Sequence, residues 1–152
     1  MPLIDGIDVS GCPGFEYRTR QALEILTNSE AFSSVRRSLV AIREGRNSGL
    51  AVNGGKPTYE VGRRTWQASL VWYASSIVHD AGHAYLYREN QWRLFGFEYT
   101  PRSAWTGVEA ERVCLRFQLA SLRELRASRD VVRYVEALLK CPTYQDERDR
   151  TW

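Results

Sequence analysis

With 152 residues, of which 43% are hydrophobic and 26% are charged, the chain has the composition of a soluble globular protein and the length of one domain with its own core. The formal net charge of +3 is small, and no basic stretch alternates with aromatic residues, so the sequence argues against a nucleic-acid partner. Its three cysteines form no CxxC pair, which argues against a disulfide framework and against a cysteine-based zinc site.

The longest mostly apolar stretch covers residues 68–87, and serines, His79, Asp80 and His83 interrupt it. This stretch therefore predicts a buried helix and not a membrane span. Residues 1–10 lack a basic region followed by an apolar one, so no signal peptide is predicted. Together these patterns predict a cytoplasmic protein with no membrane partner.

The first half of the chain predicts an irregular lead-in at residues 1–14, which is rich in Gly and Pro, and then two helices. Apolar spacing places the first helix at residues 15–26 and the second from a cap at Asn28 or Ser29 to about residue 44. Two short strands follow at residues 50–52 and 57–61, and Asn53, Gly54 and Gly55 between them predict a hairpin turn.

The second half predicts a central helix over residues 65–88, which is apolar on most of its circumference and therefore belongs in the middle of the fold. Residues 89–103 predict a loop with a short extended piece at 94–99. A capping box from Thr106 to Glu109 begins a helix that ends near residue 126, and Ser128 caps a last helix. Residues 141–152 predict a charged surface tail. The fold class is therefore α+β, as one mostly helical domain (residues 1–152) with a small antiparallel sheet beside the buried helix.

The two histidines of the chain, His79 and His83, stand four residues apart on the central helix. Side chains at i and i+4 share one helix face, so their imidazole nitrogens can bind one metal ion at about 2.0–2.1 Å each. Both histidines lie in an apolar surrounding, where an unpaired ring is costly. Gly82 between them costs about 1 kcal/mol in a helix interior, which indicates a close approach of another backbone. The pair predicts a metal site, and two core histidines with ordinary polar partners are the alternative.

A third metal ligand is predicted from the helix that follows Thr106, where Glu109 and Glu111 are the candidates. Glu111 lies on the inward stripe with Cys114 and Gln118, and a buried carboxylate needs a cationic partner. Glu109 lies on the outer side and already belongs to the predicted capping box. Glu111 is therefore preferred, and a buried ion pair with an arginine is the alternative role for its carboxylate.

Residues 78–84, with the sequence Val-His-Asp-Ala-Gly-His-Ala, resemble the active-site helix of zincin metallopeptidases, in which His-Glu-x-x-His is usual. The later Glu111-Arg112-Val113-Cys114 resembles the third-ligand helix of the gluzincin branch. The resemblance implies a zincin-like fold and a Zn²⁺ ion on His79, His83 and Glu111. It also implies a peptide or protein substrate, laid along the strand at residues 57–61.

The resemblance assigns the role of general base to Asp80, which stands where the family has glutamate. Its side chain is shorter by one C–C bond, roughly 1.5 Å, and a base must come within about 2.6–3.2 Å of the proton it takes. The expected activity is hydrolysis of a peptide by a zinc-activated water, with Asp80 passing the proton to the leaving amine. Tyr59, Tyr99, Tyr144 and Arg102 are candidate donors to the developing oxyanion.

Two alternatives accompany this hypothesis. A zinc-structured interaction module without catalysis would keep the metal and lose the function of Asp80. HD-type phosphohydrolases share the local His-Asp-small-Gly string, but they need a further histidine upstream, and no histidine precedes His79.

Overall fold

A computed structural model describes residues 3–141, and it has the α+β fold that the sequence predicts. The surface tail is predicted at residues 141–152, and all of it after Cys141, including Tyr144, lies outside the described residues. Among the described residues no helix has the length and apolar character needed to cross a membrane. The elements in chain order are β1 (Leu3–Ile4), β2 (Ile7–Ser10), α1 (Pro13–Leu26), α2 (Phe32–Ser38), β3 (Ala41–Glu44), β4 (Gly49–Asn53), β5 (Lys56–Val61), α3 (Arg63–Trp66), α4 (Leu70–Glu89), β6 (Trp92–Leu94), β7 (Phe97–Tyr99), α5 (Arg102–Trp105), α6 (Val108–Glu124) and α7 (Arg129–Leu139).

The main sheet has five strands in the order β1-β2-β3-β5-β4. It is mixed, because β2, β3 and β5 run parallel whereas β1 and β4 pair antiparallel with their neighbours. The turn between β4 and β5 has positive φ at Gly54 (58°) and Gly55 (74°), as the predicted hairpin requires. The sheet places β4 at an edge and β5 in the interior. The expectation that substrate lies along residues 57–61 is therefore wrong, since both edges of that strand are already paired.

The N-terminal residues are not the irregular lead-in that their Gly and Pro content predicts. Ile7 and Val9 alternate with polar residues and are fully buried in β2, which pairs with β3. The second helix also ends earlier than predicted, at Ser38 and not near residue 44. Leu39 is extended (ψ 135°), and the apolar run after it forms β3, because pairing with two parallel strands stabilises that run better than a longer helix would.

Three further boundaries differ from the prediction. The central helix is interrupted after Trp66, and α4 begins afresh at an N-cap, Ser69, whose Oγ accepts a hydrogen bond from the Trp72 amide. Residues 89–103 contain the β6–β7 hairpin and the start of α5 in place of a loop. The capping box at Thr106 does not form, because Gly107 (φ 88°) is the N-cap and the Thr106 hydroxyl donates to the carbonyl of Arg102. The cap predicted at Ser128 is confirmed by its bond from the Val131 amide.

Helix α4 is the central element, as the sequence predicts. Its residues from Tyr73 to Ala84 are all buried, and the helix packs against α1, α2, α6 and strand β5. The larger apolar core lies between the five-stranded sheet and α1, α2 and α4. A second core joins α6 to α7 through Leu115, Leu119, Leu122 and Val135. The crossing of α4 and α6 therefore lies between the two cores, and the two histidines are located there.

Candidate metal centre

Three side chains from two helices meet where α4 crosses α6. The Nε2 atoms of His79 and His83 lie 3.3 Å apart. Glu111 of α6 places Oε2 at 3.1 Å from Nε2 of His79 and Oε1 at 3.2 Å from Nε2 of His83. All three residues are buried, with exposed fractions of 9%, 6% and 2%. Among the described residues, they form a group that can hold a metal ion.

The backbone fixes the tautomer of His83. Its Nδ1 lies 2.6 Å from the carbonyl oxygen of Trp105, the last residue of α5. A carbonyl oxygen only accepts hydrogen bonds, so Nδ1 must carry the proton. In a neutral imidazole this leaves a lone pair on Nε2, which faces Glu111.

A relay of side chains fixes the tautomer of His79 in the same way. Ser75 donates its one hydroxyl hydrogen to the carbonyl of Trp72 (2.8 Å), so its Oγ accepts from the Gln118 amide nitrogen (3.2 Å). Gln118 therefore turns its carbonyl Oε1 towards Nδ1 of His79, at 3.1 Å. Because Oε1 only accepts, Nδ1 donates and Nε2 of His79 also carries a lone pair.

When both histidines are neutral, they and the carboxylate direct only acceptor atoms at one point, and this arrangement is repulsive without a cation between them. Two ligands bound at about 2.0–2.1 Å on a tetrahedral metal are separated by about 3.3–3.4 Å. The observed separations of 3.1–3.3 Å lie close to that value. The donor set, its tautomers and its spacing therefore fit a tetrahedral metal ion that has three protein ligands.

Protons are the competing cations. Burial alone lowers the pKa of His83, but contacts with Cys114 and Glu111 and the negative charge of Asp80 outweigh it, so this pKa is raised well above its usual value. Burial alone raises the pKa of Glu111, but its contacts with His79 and His83 outweigh it, so this pKa is lowered far below its usual range. In metal-free protein these contacts therefore favour the protonated form of His83, and a metal ion that binds there must displace this proton.

The stability of metal-free protein should therefore fall above neutral pH. A raised pKa in the folded state stabilises fully below the unfolded value of 6.5, and this contribution is lost as pH rises through the folded pKa. The lowered pKa of Glu111 stabilises fully above its unfolded value of 4.5, and this contribution is lost progressively as pH falls below that value towards the folded pKa. We expect Tm of chelator-treated protein to be highest between the two unfolded pKa values, at pH 4.5–6.5. With zinc added, Tm should instead rise with pH above 6.5, because zinc binds unprotonated histidine. Parallel Tm curves with and without zinc would contradict this expectation.

The two candidate glutamates of α6 face opposite ways. Glu111 is buried, as its place on the inward stripe predicts, whereas the side chain of Glu109 is 85% exposed and pairs with Arg112 at 3.0 Å. Gly82 explains how α6 comes so near to α4. A Cβ at that position would lie 3.0 Å from Sγ of Cys114 and 3.0 Å from the ring of Phe117, so glycine permits the close approach that the sequence indicates.

Substitution of the two glutamates should therefore have unequal effects. Glu111→Gln removes the charge of a candidate ligand, and we expect the affinity for a divalent metal such as zinc to fall by more than about 100-fold, the upper range for loss of a supporting residue. Glu109→Gln is the matched control, because it breaks only an exposed ion pair worth less than about 1 kcal/mol. Calorimetric titration with zinc measures both. Equal affinities for the two variants would show that Glu111 is not a ligand.

A cleft of about 300 Å³ opens over the three ligands, and Asp80, Leu50 and Arg102 are among the residues that line it. Asp80 is 8% exposed, and its negative charge adds to burial in raising the pKa of Tyr59. Of the candidate oxyanion donors, Tyr59 already donates its hydroxyl to Ser76 (3.0 Å). Of the residues that the structure describes, Arg102 is the other candidate donor that lines this cleft, and Tyr99 does not line it.

Sequence reasoning missed the residues that orient the histidines. Gln118 was assigned to the inward stripe without a role, and neither Ser75 nor the carbonyl of Trp105 was recognised. A buried glutamine seven residues after Glu111 was the one available signal, because a buried amide needs partners for both of its ends. Comparisons of the chain with protein families, curated proteins and solved structures find no match.

Proposed function

We propose that this protein is a zincin-like zinc hydrolase that cleaves a peptide or protein substrate. The observation that carries the proposal is the set of three ligand atoms, from His79, His83 and Glu111, at tetrahedral spacing below an open cleft. Two imidazoles and one carboxylate form a donor set that suits Zn²⁺, and in catalytic zinc sites three protein ligands leave one position for water or substrate. A bound zinc ion would supply Lewis acidity towards a carbonyl and a lowered pKa for water.

Asp80 is the residue we assign to proton transfer. It follows His79 directly on α4 and is among the residues that line the same cleft. In this role it accepts the proton of the attacking water and delivers it to the leaving amine. Arg102, the first residue of α5, also lines the cleft, and we assign it the role of stabilising the oxygen of the carbonyl under attack.

Strand β4 is the element we assign to substrate binding. It is an edge strand of the five-stranded sheet, and its Gly49 and Leu50 line the cleft. An extended peptide can add to such an edge through backbone hydrogen bonds. This assignment replaces the interior strand β5 and keeps the same mode of recognition.

The register shows which backbone groups of β4 face outwards. Pro57 of β5 has no N–H, and its carbonyl accepts a hydrogen bond from the Val40 amide, on the side away from β4. Val52, its partner in β4, therefore forms no ladder bond with it. Hydrogen-bonded and non-hydrogen-bonded pairs alternate along antiparallel strands, so Leu50, two residues before Val52, also forms no ladder hydrogen bond with its partner in β5. The N–H and C=O groups of these two residues are directed to the free edge.

The proposed function is tested by incubating zinc-loaded protein with a library of peptides and identifying products by mass spectrometry. We expect cleavage that a chelator abolishes and zinc restores. Val52→Pro removes one outward N–H, so kcat/KM should fall roughly 2- to 12-fold, the worth of one hydrogen bond, at nearly unchanged Tm. Val52→Ala controls for the side chain.

Ala51→Pro is the matched control in the same strand. The alternation puts the Ala51 amide in the ladder to β5, so this variant should lose stability as well as activity. If Val52→Pro keeps full activity on every substrate that the protein cleaves, the substrate does not pair with β4. No cleavage of any peptide by zinc-loaded protein would count against the hydrolase itself.

One observation favours a zinc-structured interaction module as a second candidate. Asp80 is shorter than the glutamate of the zincin motif and is 92% buried by its surroundings, so its reach towards a substrate is small. In such a module the metal stabilises the crossing of α4 and α6, and the cleft binds a peptide without cleaving it. Binding of uncleaved peptides by zinc-loaded protein would favour this candidate.

A further inference from the structure

The β6–β7 hairpin has two faces of opposite character. Its strands pair Trp92 with Tyr99, Arg93 with Glu98, and Leu94 with Phe97. Side chains alternate across a strand, so the first and third pairs share one face, and the ion pair occupies the other. The aromatic pair is in contact, with ring centroids 5.7 Å apart, and Arg93 donates to Glu98 at 2.6 Å.

The apolar side chains of this hairpin are not covered by the rest of the described chain. Five of the eleven large exposed hydrophobic residues between positions 3 and 141 lie in this hairpin of eight residues. Their exposed fractions are 52% for Trp92, 56% for Leu94, 92% for Phe95, 78% for Phe97 and 57% for Tyr99. At 150–250 Å² per large side chain, they leave on the order of 650 Å² of apolar surface, above the 300–600 Å² of the largest patch on a typical monomer.

The turn at the hairpin tip also has an unfavourable residue. Phe95 has φ of 50° and Gly96 has φ of 81°, the left-handed conformations of a tight two-residue hairpin turn. Asparagine or glycine usually stands at the first position, since a bulky side chain is strained there. Phe95 thus carries both backbone strain and exposed apolar surface, and a contact outside this protomer would account for it.

We propose that the apolar face of the β6–β7 hairpin, with Phe95 at its tip, is the interface with a second copy of this chain. Two such faces together would bury about 1,300 Å², at the lower end of the 1,200–2,000 Å² of specific interfaces. A twofold axis places the same patch on both sides, as an isologous contact requires. The charges raise no obstacle to this contact, because Arg93 and Glu98 neutralise each other on the opposite face. The second hairpin also stabilises the first, since an isolated two-stranded ribbon is only marginally stable.

Sedimentation velocity over about 1 to 100 µM protein, where a small interface associates measurably, tests the proposal. We expect wild-type protein to shift from monomer to dimer as its concentration rises. Phe97→Ser removes two buried rings per dimer and should weaken association by about 100-fold or more. Phe97→Leu keeps the face apolar and should retain the dimer. Leu3→Ser is the matched control, because Leu3 is 72% exposed elsewhere and its loss should change nothing.

Circular dichroism and Tm confirm that each variant is folded, so the result depends neither on metal binding nor on peptidase activity. A wild-type protein that stays monomeric over the whole range overturns the proposal. So does a dimer that Phe97→Ser leaves intact, since its interface then lies elsewhere. Monomeric protein that floats with phosphatidylcholine vesicles, and loses this with Phe97→Ser, would identify a lipid surface as the occupant instead.

Discussion

Replacement of Asp80 by asparagine is expected to lower kcat by about 10²–10⁴-fold, the usual contribution of a positioned general base. Zinc content and Tm should change little, because asparagine keeps the size and shape of the side chain and neither histidine is altered. The measurement is the turnover of a cleaved peptide by zinc-loaded wild type and variant, with zinc determined by atomic absorption. A variant that loses zinc together with activity would show that Asp80 supports the metal and not proton transfer.

Asp80→Glu distinguishes a catalytic site arranged for aspartate from a zincin-like site that has lost its catalytic glutamate. The substitution restores the residue of the zincin motif and moves the carboxylate outward by one methylene, roughly 1.5 Å. In a site arranged for aspartate the longer side chain is misplaced, so turnover should fall. In a site that has lost its catalytic glutamate, turnover should rise above that of wild type. If wild type and both Asp80 variants bind zinc and cleave nothing, the interaction module is the better account.

Purified protein should contain close to one zinc ion per chain, and His83→Ala should lose both this zinc and the stability that comes with it. Zinc at about 1,000 times its Kd adds about 4 kcal/mol to the free energy of unfolding. For a chain of this size that corresponds to a rise in Tm of roughly 8–16 °C. Differential scanning calorimetry with zinc and with a chelator measures the difference directly.

The control for His83→Ala is the comparison of both proteins without metal. Alanine leaves a small cavity and deprives the Trp105 carbonyl of its donor, so the variant should be destabilised even with a chelator present. Only the additional difference in the presence of zinc belongs to the metal. If wild-type protein with and without chelator has the same Tm, and no metal is found in it, His79, His83 and Glu111 are a proton-stabilised core cluster.

Local features of the sequence predicted part of this fold well. The spacing of His79 and His83, the glycine turn between β4 and β5, and the cap at Ser128 each depend on residues a few positions apart. Helical periodicity alone likewise placed Glu111 inward and Glu109 outward. These predictions held because i and i+4 neighbours on a helix, and the φ angles of a two-residue turn, are properties of the local chain.

Contacts between distant segments decided the rest. Residues 41–44 read as the end of a helix, but the partners β2 and β5 make them a strand. The sequence predicts that β5 binds substrate at a free edge, but β3 pairs with that edge, so that β4 is the edge strand of the sheet. The tautomers of the histidines depend on Gln118 and on the carbonyl of Trp105, which lie 39 and 22 residues from the rings that they contact. A sequence pattern shows which side chains are apolar or charged. It does not show which distant residues contact each other, because those contacts form only when the helices and strands pack together in the tertiary structure.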